Sequence, residues 1–158
     1  HVMLYWIFDL DYTLYDLDKK IEFNYNLLNP DQELNFKLQR LPSKKFIFTN
    51  GTLWHANNCL NKLSIKSNFE RIVARDTINC YKPHIVSYLK FMLLSGIYKR
   101  DKCVFFEDSL SNLLHAKQLG WITVLISPEK KNLIYVDFCF ENIHKALMFF
   151  LKKISVTP

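Results

Sequence analysis

Asp9 and Asp11 stand one residue apart in FDLDYTLYD, residues 8–16, directly behind the apolar run LYWIF. Desolvating an unpaired carboxylate costs on the order of several kcal/mol, so acids at the tip of a core strand need a reason. On an extended chain the two side chains would share one face and repel. A divalent cation resolves that repulsion. Hard oxygen ligands at an open strand tip suit Mg²⁺, which keeps several waters and takes a few carboxylates plus a phosphate. A loop-capping Asp-rich turn is the plainer alternative.

Three further stretches add complementary groups. FTNG, residues 48–51, ends an apolar run in hydroxyl, amide and glycine. Thr49 and Asn50, with the N–H groups of the helix start that follows, could cradle phosphate, or could simply cap that helix. Lys82 precedes Pro83. Proline at a first helical position would hold Lys82 extended at the helix entrance, where an ammonium acts on phosphate oxygens as a point charge. Taken singly, a solvated lysine explains it as well. Glu107-Asp108 close CVFFE, the most apolar run, and open a helical pattern. One acid could cap that helix but not both, so the pair suits a cation's ligand set, oriented by Ser109 or Asn112.

Such groups work together only if the chain brings them to one place. Buried strands are expected over 4–8, 45–49, 71–74, 103–107 and 123–127, with a weaker candidate at 135–140. Helical spacing is expected over 53–63, 83–94, 109–119 and 142–153. Strand and helix in alternation predict an α/β fold: a central parallel sheet covered on both faces, a Rossmann-like three-layer sandwich. Ligands in such sheets bind beyond the carboxyl ends of the strands, where Asp9, Asp11, Thr49, Asn50, Glu107 and Asp108 all fall. Residues 17–43 interrupt the rhythm. Asn29-Pro30 followed by Gln32 resembles a capped helix start, continued on one face by Leu34, Leu38 and Leu41. This insertion reads either as a small lid or as a packed surface hairpin and helix.

The 158 residues, 49% of them apolar with only three glycines, make one packed domain with room for a core. No apolar run is long enough to cross a bilayer and no charged-then-apolar leader opens the sequence, so a cytoplasmic protein without membrane contact is expected. The four cysteines lack CxxC spacing and the histidines lack HxxxH or HExxH spacing, which favours a reducing compartment and argues against zinc. The net charge of +6 is either a solvated surface or a field that draws phosphate esters or nucleic acid. No recognition-helix signature or interleaving of aromatic and basic residues supports nucleic-acid binding for its own sake.

In combination and in order, DLDYTLYD, FTNG, the lysine of CYKP and FFEDSLSNLLHAKQLGW resemble the motifs of the haloacid dehalogenase (HAD) superfamily of phosphohydrolases. The run from Phe48 to Ser127 is most similar to the pyrimidine 5′-nucleotidase-like branch, with residues 17–43 as a truncated cap. The resemblance implies a Mg²⁺-dependent phosphatase acting through an aspartyl-phosphate. Asp9 would be nucleophile and metal ligand. Asp11 would be general acid, then base, with its backbone carbonyl on the metal. Thr49, Asn50 and Lys82 would hold the phosphoryl group, and Glu107 and Asp108 would bind or position Mg²⁺. A minimal cap implies a larger substrate, a phosphoprotein or nucleic-acid end beside the phosphorylated small molecule, or closure of the site by homo-oligomerisation. A phosphotransferase of the same fold and a non-catalytic binding module are the alternatives.

Overall fold

Successive side chains of a strand point to opposite faces, so a strand apolar throughout needs cover on both. β1 (Leu4–Phe8) meets that condition: Trp6 and Phe8 enter one buried cluster, Tyr5 and Ile7 another. The structure, a computed structural model, describes residues 2–156. β1 is joined by β2 (Lys45–Phe48), β3 (Arg71–Val73), β4 (Lys102–Glu107), β5 (Ile122–Ile126) and β6 (Phe138–Phe140). The six form one sheet in the order β3-β2-β1-β4-β5-β6, every neighbouring pair parallel. This is the expected Rossmann-like α/β sandwich, and the expected strands match within a residue or so except β6, which is shorter.

Helices α1 (Gln32–Arg40), α2 (Leu53–Lys62) and α6 (Ile143–Val156) cover the Trp6 face through Leu34, Leu38, Cys59, Leu60 and Leu147. The opposite face is covered by α3 (Arg75–Ile78), α4 (Ile85–Ser95) and α5 (Leu113–Gln118) through Ile78, Tyr88, Phe91, Leu113 and Ala116. The chain leaves β1 for β2 on one side and later returns to β4 on the other, so the tips of β1 and β4 lie where the strand order reverses. That reversal opens a crevice in a doubly wound sheet.

Three local expectations shift. The helix expected over 109–119 begins as a 3₁₀ turn, Leu110–Asn112, because Glu107 Oε1 accepts the Ser109 N–H (3.2 Å) and the Asn112 carbonyl takes the Tyr88 hydroxyl. The helix expected from Pro83 starts at Ile85, with Pro83 in the turn closed by the His84 N–H on the Tyr81 carbonyl (3.1 Å). In the insertion, Asp31 is the cap of α1, accepting the Leu34 N–H at 3.0 Å.

Residues 17–43 divide in two. Leu34, Leu38 and Leu41 of the second half are buried in the Trp6-side core, and the Trp6 indole N–H ties Pro42 to β1 (2.7 Å). The first half carries Phe23 and Tyr25 to the flank of the strand tips. Among the described residues no helix is long and apolar enough to cross a membrane.

Candidate active site

The β1 ladder ends with the Asp9 N–H on the Phe106 carbonyl (2.9 Å), after which the chain turns instead of running on. The Thr13 and Leu14 N–H groups both reach the Leu10 carbonyl, at 3.2 and 3.0 Å, and Tyr12 takes a left-handed backbone (φ 60°). A non-glycine residue there costs about 1–2 kcal/mol. Buried Leu10 and Leu14 anchor the turn. The turn separates the two aspartates that an extended chain would have set side by side.

Asp9 goes inward. Its Oδ1 lies 3.0 Å from Lys82 Nζ and its Oδ2 accepts the Thr13 hydroxyl at 2.8 Å, so both oxygens are anchored and the carboxylate plane is set. Burial alone would raise its pKa, but the Lys82 ammonium and the hydrogen bonds onto the carboxylate outweigh burial and hold it below the usual range. Asp9 is a carboxylate at neutral pH although nearly buried.

Lys82 approaches from beneath, with its side chain fully buried. Nζ bonds Asp9 Oδ1, Glu107 Oε2 (2.9 Å) and the Phe48 carbonyl (2.6 Å), which uses all three ammonium donors. The Phe48 and Phe105 rings lie 5.0 and 5.5 Å from Nζ. Burial would neutralise such a lysine; the two carboxylates reverse that and raise its pKa. Asn50 holds the backbone of Lys82 from both sides, its Oδ1 accepting the Lys82 N–H (2.8 Å) and its Nδ2 donating to the Lys82 carbonyl (2.9 Å).

Glu107 and Asp108 follow β4 beside Asp9. Glu107 is buried between Lys82 and the Ser109 N–H, and burial together with the Asp9 charge pushes its pKa well up. Asp108 Oδ1 lies 3.2 Å from the same Thr13 hydroxyl, which has one proton for the two acids, and Oδ2 faces Lys19 across 3.5 Å; burial and the adjoining Asp9 push Asp108 up to about 6. Asp9, Glu107 and Asp108 can place one oxygen each within 4.8 Å of one another. Three acids against one ammonium crowd negative charge into a largely dry pocket, which the charge and hard-oxygen preference of a divalent cation match. The acid set fits such an ion. A cavity of about 530 Å³ opens beside it, lined among others by Tyr12, Thr13, Lys19, Asp108 and Ser127.

Asp11 goes the other way. Its Oδ1 accepts the Tyr15 hydroxyl and faces His55 Nε2, each at 2.7 Å, and it remains half-buried. Thr49 Oγ1 accepts the Gly51 N–H at 3.0 Å, shaping the loop over the site. A Cβ on Gly51 would stand 2.9 Å from His55 Cδ2 and 3.6 Å from Asp11 Oδ2. That position must stay bare for the loop to pass so close.

The structure thus gathers Asp9, Lys82, Glu107 and Asp108 around one point, with Asn50 behind Lys82 and Thr49 in the overlying loop. Asp11's side chain stands apart from that group, on His55. Sequence reasoning missed His55, Tyr25 and the bridging role of Thr13. Thr13 had a signal in its fixed place behind the two acids. His55 had none, because its partners lie 44 and 30 positions away.

Residues 31–126, well over half of the chain, match the model of the haloacid dehalogenase-like hydrolase family. This span holds Thr49, Asn50, Lys82, Glu107 and Asp108, and the Asp9–Asp11 loop joins them through the sheet. Among solved structures, the HAD-hydrolase YfnB from Bacillus subtilis bound to magnesium superposes with a TM-score of 0.70 at 13% identity, over 96% of this chain and 99% of that one. L-2-haloacid dehalogenase from Xanthobacter autotrophicus gives 0.67 at 17%, over 85% of this chain and 64% of that one. A HAD phosphatase from Thermococcus onnurineus gives 0.62 at 22%, over 80% and 58%. The chain therefore spans less than two thirds of the dehalogenase and of the phosphatase. At these identities the superpositions speak for the fold, and the matched family model speaks for descent: the chain belongs to the haloacid dehalogenase-like hydrolase family.

Proposed function

We propose that the chain hydrolyses a phosphomonoester through a covalent intermediate on Asp9, with a divalent cation, best fitted by Mg²⁺. The observation that carries this reading is the contrast between an ionised, doubly anchored Asp9 and a second carboxylate, Asp11, held nearby on donors of its own. A halide departs without a proton, so dehalogenation needs only the first acid. An alkoxide leaving from phosphorus needs both.

Asp9 attacks phosphorus, the P–O bond to the leaving group breaks, and that oxygen takes a proton from Asp11. Water then attacks phosphorus, its proton passes to the Asp11 carboxylate, and phosphate leaves with Asp9 restored. Lys82 keeps Asp9 ionised before attack. It loses part of that pairing as the acyl phosphate forms and offers positive charge to the phosphoryl oxygens instead. The Thr49 hydroxyl would donate to those oxygens, held in place by the Gly51 N–H, while Asn50 fixes Lys82. Asp9 and Asp108, backed by Glu107, would hold the cation, which when bound neutralises phosphoryl charge. The cavity beside Asp108 is of a size that suits the body of a small phosphorylated substrate. Exposed Trp54, packed edge-on to Tyr25 at 5.8 Å, would add an aromatic rim for a nucleotide or larger ester.

The test is phosphate release from nitrophenyl phosphate and a panel of phosphorylated metabolites and oligonucleotides, with and without Mg²⁺. Asp9→Asn should lower turnover by about 10³-fold or more, in a protein that still folds although it melts earlier. Equal release by wild type and variant would defeat the reading. Transfer to an added alcohol in preference to water would make the chain a phosphotransferase. A folded protein that neither binds Mg²⁺ nor releases phosphate would be a binding module.

A further inference from the structure

Asp11 has to hand over a proton and later take one back, and a carboxylate does this well only if one oxygen faces the reacting atom. Its surroundings divide its two oxygens. Oδ1 carries both donors, the Tyr15 hydroxyl and His55 Nε2, each at 2.7 Å. Oδ2 faces the bare Gly51 of the loop over the site, 3.6 Å from where a Cβ would stand. His55 is itself fixed. Thr52 caps α2 by accepting the His55 N–H at 3.1 Å, and Nδ1 lies 2.6 Å from the Tyr25 hydroxyl. The Phe23 and Tyr25 rings each pack 5.5 Å from the imidazole. The acceptor assigns one ring proton: facing the Asp11 carboxylate, Nε2 carries an N–H that points at Oδ1.

We infer that His55, backed by Tyr25 of the 17–43 insertion, is a positioning residue for the acid–base carboxylate. Together with Tyr15 it pins Oδ1 of Asp11 and leaves Oδ2 to exchange the proton with the leaving oxygen. The inference rests on the phosphatase reading and adds to it a task for the insertion. Its first half braces the acid–base group from the side, and its second half is part of the core. Asp11, His55 and Cys59 also come within 4.8 Å of one another, the spacing of a metal centre. Burial pushes the Cys59 thiol up to about 12 and both imidazole nitrogens already face oxygen partners, so the trio is a hydrogen-bonded group.

The experiment compares kcat/KM, which reports the steps up to departure of the leaving group, for nitrophenyl phosphate and for an alkyl phosphate. Nitrophenolate leaves with little help from an acid; an alkoxide does not. His55→Ala should lower kcat/KM for the alkyl ester by about 10²-fold and for the nitrophenyl ester by about threefold or less. His55→Gln, whose amide can still donate to Oδ1, should restore most of the alkyl rate. Tyr25→Phe, which keeps the ring and removes the partner of Nδ1, should show the same selectivity on a smaller scale, about threefold to tenfold. It also serves if His55→Ala is too unstable to assay. Equal loss on both esters in the His55 and Tyr25 variants, or His55→Gln no better than His55→Ala, would reduce His55 to a packing residue and leave the phosphatase reading intact. A wild type that cleaves neither ester removes both.

Discussion

Asp9 and Asp11 are the same residue type two positions apart, yet they occupy opposite environments. Asp9 lies in a nearly dry centre where Lys82 gives its whole donor set to fixed partners, and any change leaves a buried charge alone. Asp11 sits at a half-wet edge between the Tyr15 hydroxyl and the His55 imidazole, with one oxygen held and the other open. The contrast suits the two tasks of the proposed reaction. A nucleophile must stay ionised and still; a proton carrier must reach both states at little cost. Substitutions on the Asp9 side should therefore act on stability and activity together, and those on the Asp11 side mainly on rate.

The largest effect is expected from Lys82→Met. It leaves Asp9 and Glu107 buried without a counter-charge and should cost about 3–5 kcal/mol in urea unfolding at neutral pH. The loss should shrink toward pH 5 as the carboxylates take up protons. A variant as stable as wild type at neutral pH would show that the centre is wetter than drawn. Next, Mg²⁺ should relieve the crowded negative charge of Asp9, Glu107 and Asp108. At about a hundred times its dissociation constant it should add about 2.7 kcal/mol of stability, removed by chelation. An Asp108→Asn variant should bind the ion more weakly by calorimetry.

The acids also make the metal-free protein sensitive to pH. Asp108 is raised in the folded state from near 3.8 to about 6, and burial raises Glu107 in the same direction. Between those values the native state binds more protons than the unfolded one, so stability falls as pH rises through that window. Allowing for partial exposure of Asp108, the loss should be about 1–2 kcal/mol between pH 4 and pH 6. Saturating Mg²⁺ should flatten it. A metal-free protein that gains stability over this range would reverse the assignment.

The half-wet side should give smaller numbers and change rates more than stability. Gly51→Ala places a methyl 2.9 Å from His55 Cδ2, so the imidazole must move. Phosphate release should drop about tenfold with melting nearly unchanged. Tyr15→Phe removes one of two donors on Oδ1, which should cost about 1 kcal/mol or less in stability and a few-fold in rate. A large loss of stability in either variant would mean that Asp11, like Asp9, belongs to the structural centre.

Much of the fold can be read along the chain because it depends on neighbours. Period-two alternation in LYWIF, KFIF and CVFFE assigns side chains to two clusters, and strand–helix repetition dictates a parallel sheet with its acids at one rim. Leu34, Leu38 and Leu41 announce their helix by spacing. What the insertion does was not legible, because a helix face is the same whether it covers a substrate or a sheet. The site was legible where a motif has a fixed length: Asp9, Thr13, Glu107 and Asp108 are near one another because β1 and β4 pair in register, Phe8 opposite Phe106.

Sequence alone determined which residues carry charge, hydroxyl or amide at the carboxyl ends of the strands, since strand polarity and connection handedness leave little choice there. Only the tertiary structure decided where each side chain turns. The left-handed backbone at Tyr12 parts Asp11 from Asp9, the Asn50 clamp turns Lys82 beneath the sheet edge, and Tyr25 and His55 meet Asp11 from distant segments. Those directions follow from burial and hydrogen bonding across the whole fold, and no spacing along the chain encodes them.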